Sequence, residues 1–196
     1  KTIIDNVESL LKMDYPNFEV CIVNDGSKDK TLELLIDTFD LVEVPFEYVE
    51  KVHCAPFKRL FRSTNINYSK LVVVDKENGG TKADAVNGGL NVIENPYFIN
   101  TDVDCILSKD AMYQCIFPVI TDESIIAVSG TMSMSNGSTI DNGELVDIRP
   151  SNRPIPLFQD LEYKRSFLVG KMGWSKINAM NNVSGGYGLF STEVVR

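Results

Sequence analysis

Apolar residues recur with helical spacing at Ile3, Ile4, Val7, Leu10 and Leu11, and Tyr15-Pro16-Asn17 then closes the segment. A short apolar run, Phe18 to Val23, predicts a strand buried on both faces. It ends at Asn24-Asp25-Gly26-Ser27, where Gly26 permits a sharp turn and Ser27 or Asp29 can cap the next helix. That helix carries Leu32, Leu34, Leu35, Ile36 and Phe39. From Val42 to Ser69 the pattern predicts a short strand and then a loop, with Pro45 and Pro56 breaking any long element and a basic patch at Lys58, Arg59 and Arg62. Leu71 to Val74 is the next buried strand, and Asp75 to Gly80 its polar exit. Thr81 can cap the following helix, which holds Lys82, Ala85, Val86, Leu90, Val92 and Ile93. Gly88 and Gly89 cost such a helix about 1 kcal/mol each against Ala, so they are expected where its backbone approaches the sheet closely.

Tyr97 to Thr101 predicts a further strand, Ser108 caps a helix running to Pro118, and Ile125 to Ser129 is another strand. After Gly130 the alternation of strands and helices stops. Asp141-Asn142-Gly143, between Thr139-Ile140 and Leu145-Val146, predicts a hairpin. Three prolines between Arg149 and Pro156 then lead to an amphipathic helix from Leu157 to about Gly170, with Phe158, Leu161, Phe167 and Leu168 expected to pack inward. The last informative run, Asn182 to Phe190, has three glycines in four positions, which brings backbone against a ligand or another element. The expected fold class is α/β, a mainly parallel sheet flanked by helices with a smaller antiparallel part, without internal repeat or linker.

Length and composition fit one globular domain: 196 residues, 43% hydrophobic and 23% charged. A net charge of −8 excludes nucleic acid as the main partner, because phosphate backbones are bound by basic surfaces. The four cysteines show no C-x-x-C spacing and read as reduced, buried thiols. No apolar stretch in the sequence approaches a membrane span, and its opening residues are not expected to act as a signal peptide. The chain opens directly into a helical pattern and stops as another helix begins, as expected of a piece of something longer. His53 has no second ligand at useful spacing and reads as a loop residue.

The candidate chemistry centres on Asn100-Thr101-Asp102-Val103-Asp104. In extended geometry residues two apart share a face, so Asp102 and Asp104 present their carboxylates together. Two such anions either share a proton or hold a cation, and oxygen-only ligands suit a hard divalent ion, Mg²⁺ or Mn²⁺. With the exits at Asp25-Gly26 and Asp75, and with Lys82 at a helix start, they are expected to gather at one sheet edge. Carboxylates for a metal and a lysine for phosphate charge then make a nucleoside-diphosphate site.

Six segments resemble the family 2 glycosyltransferases of the GT-A fold, especially the membrane-anchored, processive polysaccharide synthases. They are Tyr15 to Val20, Val23 to Ser27, Glu77 to Asn87, Asn100 to Asp104, Gln159 to Tyr163 and Ser184 to Phe190, in that order across nearly the whole chain. The resemblance implies one catalytic domain, with a nucleotide-binding part at about 1–107 and an acceptor-side part at about 108–196. It implies metal-dependent, inverting transfer of a sugar, an N-acetylhexosamine by similarity to the poly-N-acetylglucosamine synthases, from a UDP-sugar to a growing polysaccharide or other glycan acceptor. Asp25 matches the uracil contact, Lys82 the basic residue near the nucleotide, Asp102 the ribose-side carboxylate that also joins the metal site, and Asp104 the metal ligand. Ser184, Gly185, Gly186 and Tyr187 match the segment near the sugar and acceptor.

The departures are specific. The family's first strand, between the strand ending at Asp25 and the one ending at Asp102, is expected ahead of Lys1, and its general base beyond Arg196; no base is assigned within the chain. Asn24 replaces the first Asp of the commoner Asp-Asp-Gly-Ser form, a change expected to weaken nucleotide contacts. The resemblance further implies a cytoplasmic catalytic domain tied to the membrane by segments outside this chain. Two alternatives remain at this point: a sugar-phosphate nucleotidyltransferase, which would want a Gly-rich basic phosphate loop not found here, and a non-catalytic nucleotide-binding or scaffold module.

Overall fold

A computed structural model of the chain describes residues 2–141, 144–177 and 179–196. In chain order the elements are α1 (Thr2–Leu11), β1 (Val20–Asp25), α2 (Thr31–Thr38), β2 (Leu41–Val44), β3 (Phe57–Ser63), β4 (Leu71–Lys76), α3 (Lys82–Val92), β5 (Tyr97–Thr101), α4 (Ala111–Thr121), β6 (Ala127–Ser129), β7 (Thr139–Asp141), β8 (Glu144–Asp147), α5 (Pro154–Lys164), α6 (Met172–Lys176), β9 (Tyr187–Ser191) and α7 (Thr192–Val195). A π-helical segment, Arg165–Lys171, joins α5 to α6.

The α/β class holds, but the sheet is mixed rather than mainly parallel. One sheet has the order β1-β4-β3-β2, a second β5-β9-β6, and β7-β8 form a separate ribbon. Parallel pairing among the described residues is confined to β1 and β4, in register from Val20 opposite Leu71 to Asp25 opposite Lys76. The reason is topological. β2 and β3 fold back as an antiparallel extension, and β9 returns late in the chain to lie antiparallel between β5 and β6.

β1 and β5 are each the end strand of their sheet, and both line one largely apolar cavity of about 550 Å³ together with α1, α3 and Leu189. This slot explains why β1 is only half-buried along most of its length, against the expectation of a strand covered on both faces. β4, by contrast, is buried at all six positions. One apolar cluster spans both sheets, from Val7, Leu35, Phe39, Leu71 and Val73 to Cys115, Val119 and Leu189.

Other expectations change in detail. The basic patch lies on a strand: Leu60 and Phe61 of β3 are buried, and Lys58, Arg59 and Arg62 are exposed, with a bulge between Phe57 and Arg59. α4 continues past Pro118 to Thr121. Of the four apolar residues expected to pack inward from the 154–171 helical run, only Phe167 does, while Phe158, Leu161 and Leu168 are exposed. The ribbon strands β7 and β8 pair as expected of a hairpin, and its Asn142-Gly143 turn lies outside the described residues. The four cysteines are free, two of them buried, and His53 is an exposed loop residue beside Glu50.

Candidate functional site

The site is built on three chain reversals. At the first, Thr81 caps α3 by accepting a hydrogen bond from the Asp84 amide at 3.2 Å, which fixes the first turn and with it Lys82. The Lys82 ammonium donates to Asp102 Oδ1 and, at 2.6 Å, to the Gly185 carbonyl. Asn100 Nδ2 donates to the same carbonyl at 3.1 Å. One cation therefore ties the start of α3, the exit of β5 and the Gly-rich segment before β9, residues far apart in sequence.

At the second reversal, ligand atoms of Asp102, Asp104 and Cys105 all lie within 4.8 Å of one another. Burial first, and the charge of Asp104 second, push the Cys105 thiol up. Beside it stand two exposed to half-exposed carboxylates. That donor set fits a hard divalent cation, and the Lys82 ammonium on Asp102 marks the same place as one where positive charge is favoured.

The third reversal is the Gly-rich segment. A Cβ on Gly186 would overlap the flexible end of Met132 and lie 3.2 Å from Asp102 Oδ2, so glycine lets the backbone pass close to Asp102 without displacing either side chain. The segment is held from the other side by Ser129, whose hydroxyl accepts from the Ser184 amide at 3.2 Å and lies 3.3 Å from Lys171 Nζ. Asp160 supports the same wall: it accepts from Lys164 at 2.6 Å and from the Met134 amide at 3.3 Å. Gly185 and Gly186 thus lie beside Lys82 and Asp102, while the amide and hydroxyl of Ser184 are turned to Ser129 and Met132. Tyr187 does not face the carboxylate pair, because its ring is buried against Gly130. Burial, reinforced by Cys115, pushes its phenol well above the usual range, and its carbonyl accepts from the Gly130 amide at 3.2 Å.

Asp25 joins the site through a group that the sequence reading passed over. Lys76, the last residue of β4, is fully buried and donates to Asp25 Oδ1 at 2.6 Å, to the Glu77 carbonyl at 2.8 Å and to Asp84 Oδ1. Asp84 sits two residues from Lys82 in the first turn of α3. The signal is a lysine placed directly after four apolar residues and an aspartate, inside what the sequence presents as a polar exit. Asp75 belongs to the framework instead. It is buried, bonded by Arg59 Nη2 at 2.8 Å and by Asn24 Nδ2 at 2.8 Å. Asn24 is therefore a buried partner of Asp75 rather than a nucleotide contact, and an aspartate there would set two carboxylates against each other.

The profile of the family described as glycosyl transferase family 2 matches residues 1–52. The poly-beta-1,6-N-acetyl-D-glucosamine synthase of Staphylococcus epidermidis is 26% identical over 196 residues, covering 100% of this chain and 38% of that protein. The synthase of the same name from Staphylococcus aureus is 26% identical over 195 residues, 37% of its length. The chain thus spans under two fifths of the length of these curated relatives. Among solved structures, a mannosyltransferase from Pyrobaculum calidifontis in complex with GDP-Man and Mn²⁺ matches with a TM-score of 0.62 and 18% identity, over 99% of this chain and 41% of that one. The chain is thus similar in sequence to family 2 glycosyltransferases, over residues 1–52 by the family profile and throughout by these synthases, and its fold is that of the GT-A mannosyltransferase.

Proposed function

We propose that the chain forms the donor-binding part of a glycosyltransferase. The donor is a UDP-sugar, specifically a UDP-N-acetylhexosamine, and the acceptor a growing polysaccharide or other glycan. The observation that carries this reading is the junction at Lys82, where a cation at a helix N-terminus meets the Asp102 carboxylate and the Gly185 carbonyl, with Asp104 alongside. A helix N-terminus and an ammonium together favour an anion such as a diphosphate. The names of the similar synthases support the sugar class, and the Mn²⁺ held by the similar mannosyltransferase supports the use of a divalent ion.

In the proposed reaction an acceptor hydroxyl attacks the anomeric carbon, the bond from that carbon to the diphosphate oxygen breaks, and configuration inverts. The hydroxyl proton passes to a base that we do not place among the described residues. Lys82 contributes positive charge where the diphosphate departs, and Asp102 and Asp104 would hold Mg²⁺ or Mn²⁺, which supplies further neutralisation of the leaving group. Ser184 to Gly186 form the wall between the carboxylates and the acceptor side. Among the described residues no helix is long and apolar enough to cross a membrane, so membrane attachment in this proposal belongs to segments outside this chain.

Calorimetric titration of the full-length protein with UDP, UDP-N-acetylglucosamine and UTP, with and without Mn²⁺, tests the reading. Metal-dependent binding of the first two is the expected result. A preference for UTP would point to nucleotidyl transfer, and no nucleotide binding to a non-catalytic module.

A further inference from the structure

The buried ammonium of Lys76 has no place in the reaction just described, yet every one of its protons is used. Its three acceptors are Asp25 Oδ1, the Glu77 carbonyl and Asp84 Oδ1, which come from the exit of β1, the exit of β4 and the first turn of α3. The surroundings are shaped for it: a Cβ on Gly88 would sit 2.9 Å from Lys76 Cδ, so α3 carries glycine where the lysine stem passes. The consequence for Asp25 is directional. Its Oδ1 receives two donors, Lys76 Nζ at 2.6 Å and the Gly79 amide at 3.1 Å, while its backbone carbonyl is held by Asn78 Nδ2 at 2.7 Å. Among the described residues Oδ2 accepts no hydrogen bond, and the side chain keeps one fifth of its surface exposed.

We propose that Lys76 is a positioning residue for base recognition: by occupying Asp25 Oδ1 it turns Oδ2 outward as the single acceptor that selects a pyrimidine with an imide N–H, uracil, over cytosine. This rests on the reading of Asp25 as the base contact. Uracil offers a hydrogen at N3 and cytosine a lone pair, so a fixed acceptor oxygen attracts the first and repels the second. The arrangement also dictates the behaviour of an amide at this position. In Asp25→Asn the oxygen must take the Oδ1 place, because both donors converge there, and the NH₂ then replaces Oδ2 and points outward. That geometry prefers cytosine.

The test measures UDP and CDP affinities of the full-length protein and three variants in the presence of Mn²⁺. Wild type is expected to prefer UDP by about tenfold or more, the discrimination typical of one hydrogen bond to a charged group. Asp25→Asn is expected to reverse the preference toward CDP. In the double variant Asp25→Asn with Lys76→Met, which keeps the cluster's net charge at that of wild type, the amide loses its stronger director and the preference should fall toward unity. Gly88→Ala presses on the lysine stem while suiting the helix, and it should erode the wild-type preference severalfold. A reversal that survives Lys76→Met overturns the positioning role. Should the double variant not fold, an undiminished preference in folded Gly88→Ala overturns it equally. If wild type shows no preference, or Asp25→Asn retains that for UDP, the base-contact reading of Asp25 falls instead.

Discussion

At Lys82 one side chain serves two ends. Its ammonium balances Asp102 and holds the Gly185 carbonyl, so Lys82→Ala removes a phosphate-side charge and loosens the Gly-rich wall together. The variant is expected to weaken UDP by about tenfold, the scale of a charge-assisted hydrogen bond, and uridine much less, as read by calorimetry. Equal losses for both ligands would put the side chain away from the phosphates. Asp104→Asn removes one of two hard oxygen donors and should abolish the Mn²⁺ dependence of UDP binding while leaving the melting temperature within about 0.5 kcal/mol of wild type in stability terms, because the residue is exposed. Lys82 was legible because a capped helix start is local, whereas Asp102 and Asp104, expected together from strand alternation, lie beyond β5 and are brought together by a turn closed by the Cys105 amide on the Asp102 carbonyl at 3.0 Å. Lys76 was not legible, because its meaning depends on Asp25 and Asp84, 51 and 8 residues away, closing over it. Tyr187 was legible only as a member of a motif. Nothing in the Gly-rich run says that its ring turns into the core.

At the scale of elements, the joint between β1, β4 and α3 is held by buried charge, and pH should report on it. Burial alone pushes Lys76 down, but hydrogen bonds and charge from Asp25 and Asp84 outweigh it and hold the lysine above its ordinary 10.5. Its stabilisation is therefore complete below that value and lost as pH rises through the raised folded-state pKa. The Lys76 hydrogen bond, against the opposing effect of burial, holds Asp84 below its ordinary 3.8. That contribution is present above 3.8 and lost as pH falls through the lowered value. Thermal melts should show a plateau between these limits, and Asp84→Asn should flatten the acid side. Lys76→Met alone leaves two carboxylates facing without their cation and should cost about 3 to 5 kcal/mol, measured by denaturant unfolding. Elements with a regular period, such as α1, β4 and α3, were readable in advance. β3 was not, because its exposed basic residues and bulge hide a strand whose apolar positions Leu60 and Phe61 are adjacent. The 154–171 run misled in the opposite sense: helical spacing of Phe158, Leu161 and Leu168 shows a common face, but not whether anything covers it.

For the whole molecule, the slot between β1 and β5 matters most. Two end strands line one apolar cavity, so each offers unpaired N–H and C=O groups toward it. Unpaired buried backbone groups cost about 1 to 3 kcal/mol each, comparable in sum with the stability of a domain. Residues 1–196 alone are thus expected to melt at low temperature or to self-associate. A version carrying an additional extended apolar segment ahead of residue 1 should melt higher and bind UDP more tightly. A cooperative, monomeric, high-temperature melt of residues 1–196, unchanged by that extension, would mean the slot is satisfied otherwise. The strand expected there from the family resemblance is consistent with the open edges, and the mixed character of the sheets could not be foreseen because strand direction is set by crossovers rather than by composition. β9 carries a different consequence, one of time. It is the middle strand of its sheet, and its Ser191 pairs with Tyr97, so β5 leaves the ribosome 94 residues before its partner exists. At roughly 5 to 20 residues per second, β5 and β6 wait several seconds without a neighbour. During that interval the carboxylates after β5 have no Gly-rich wall beside them, and a nascent chain arrested before Tyr187 should bind chaperones that the completed chain does not.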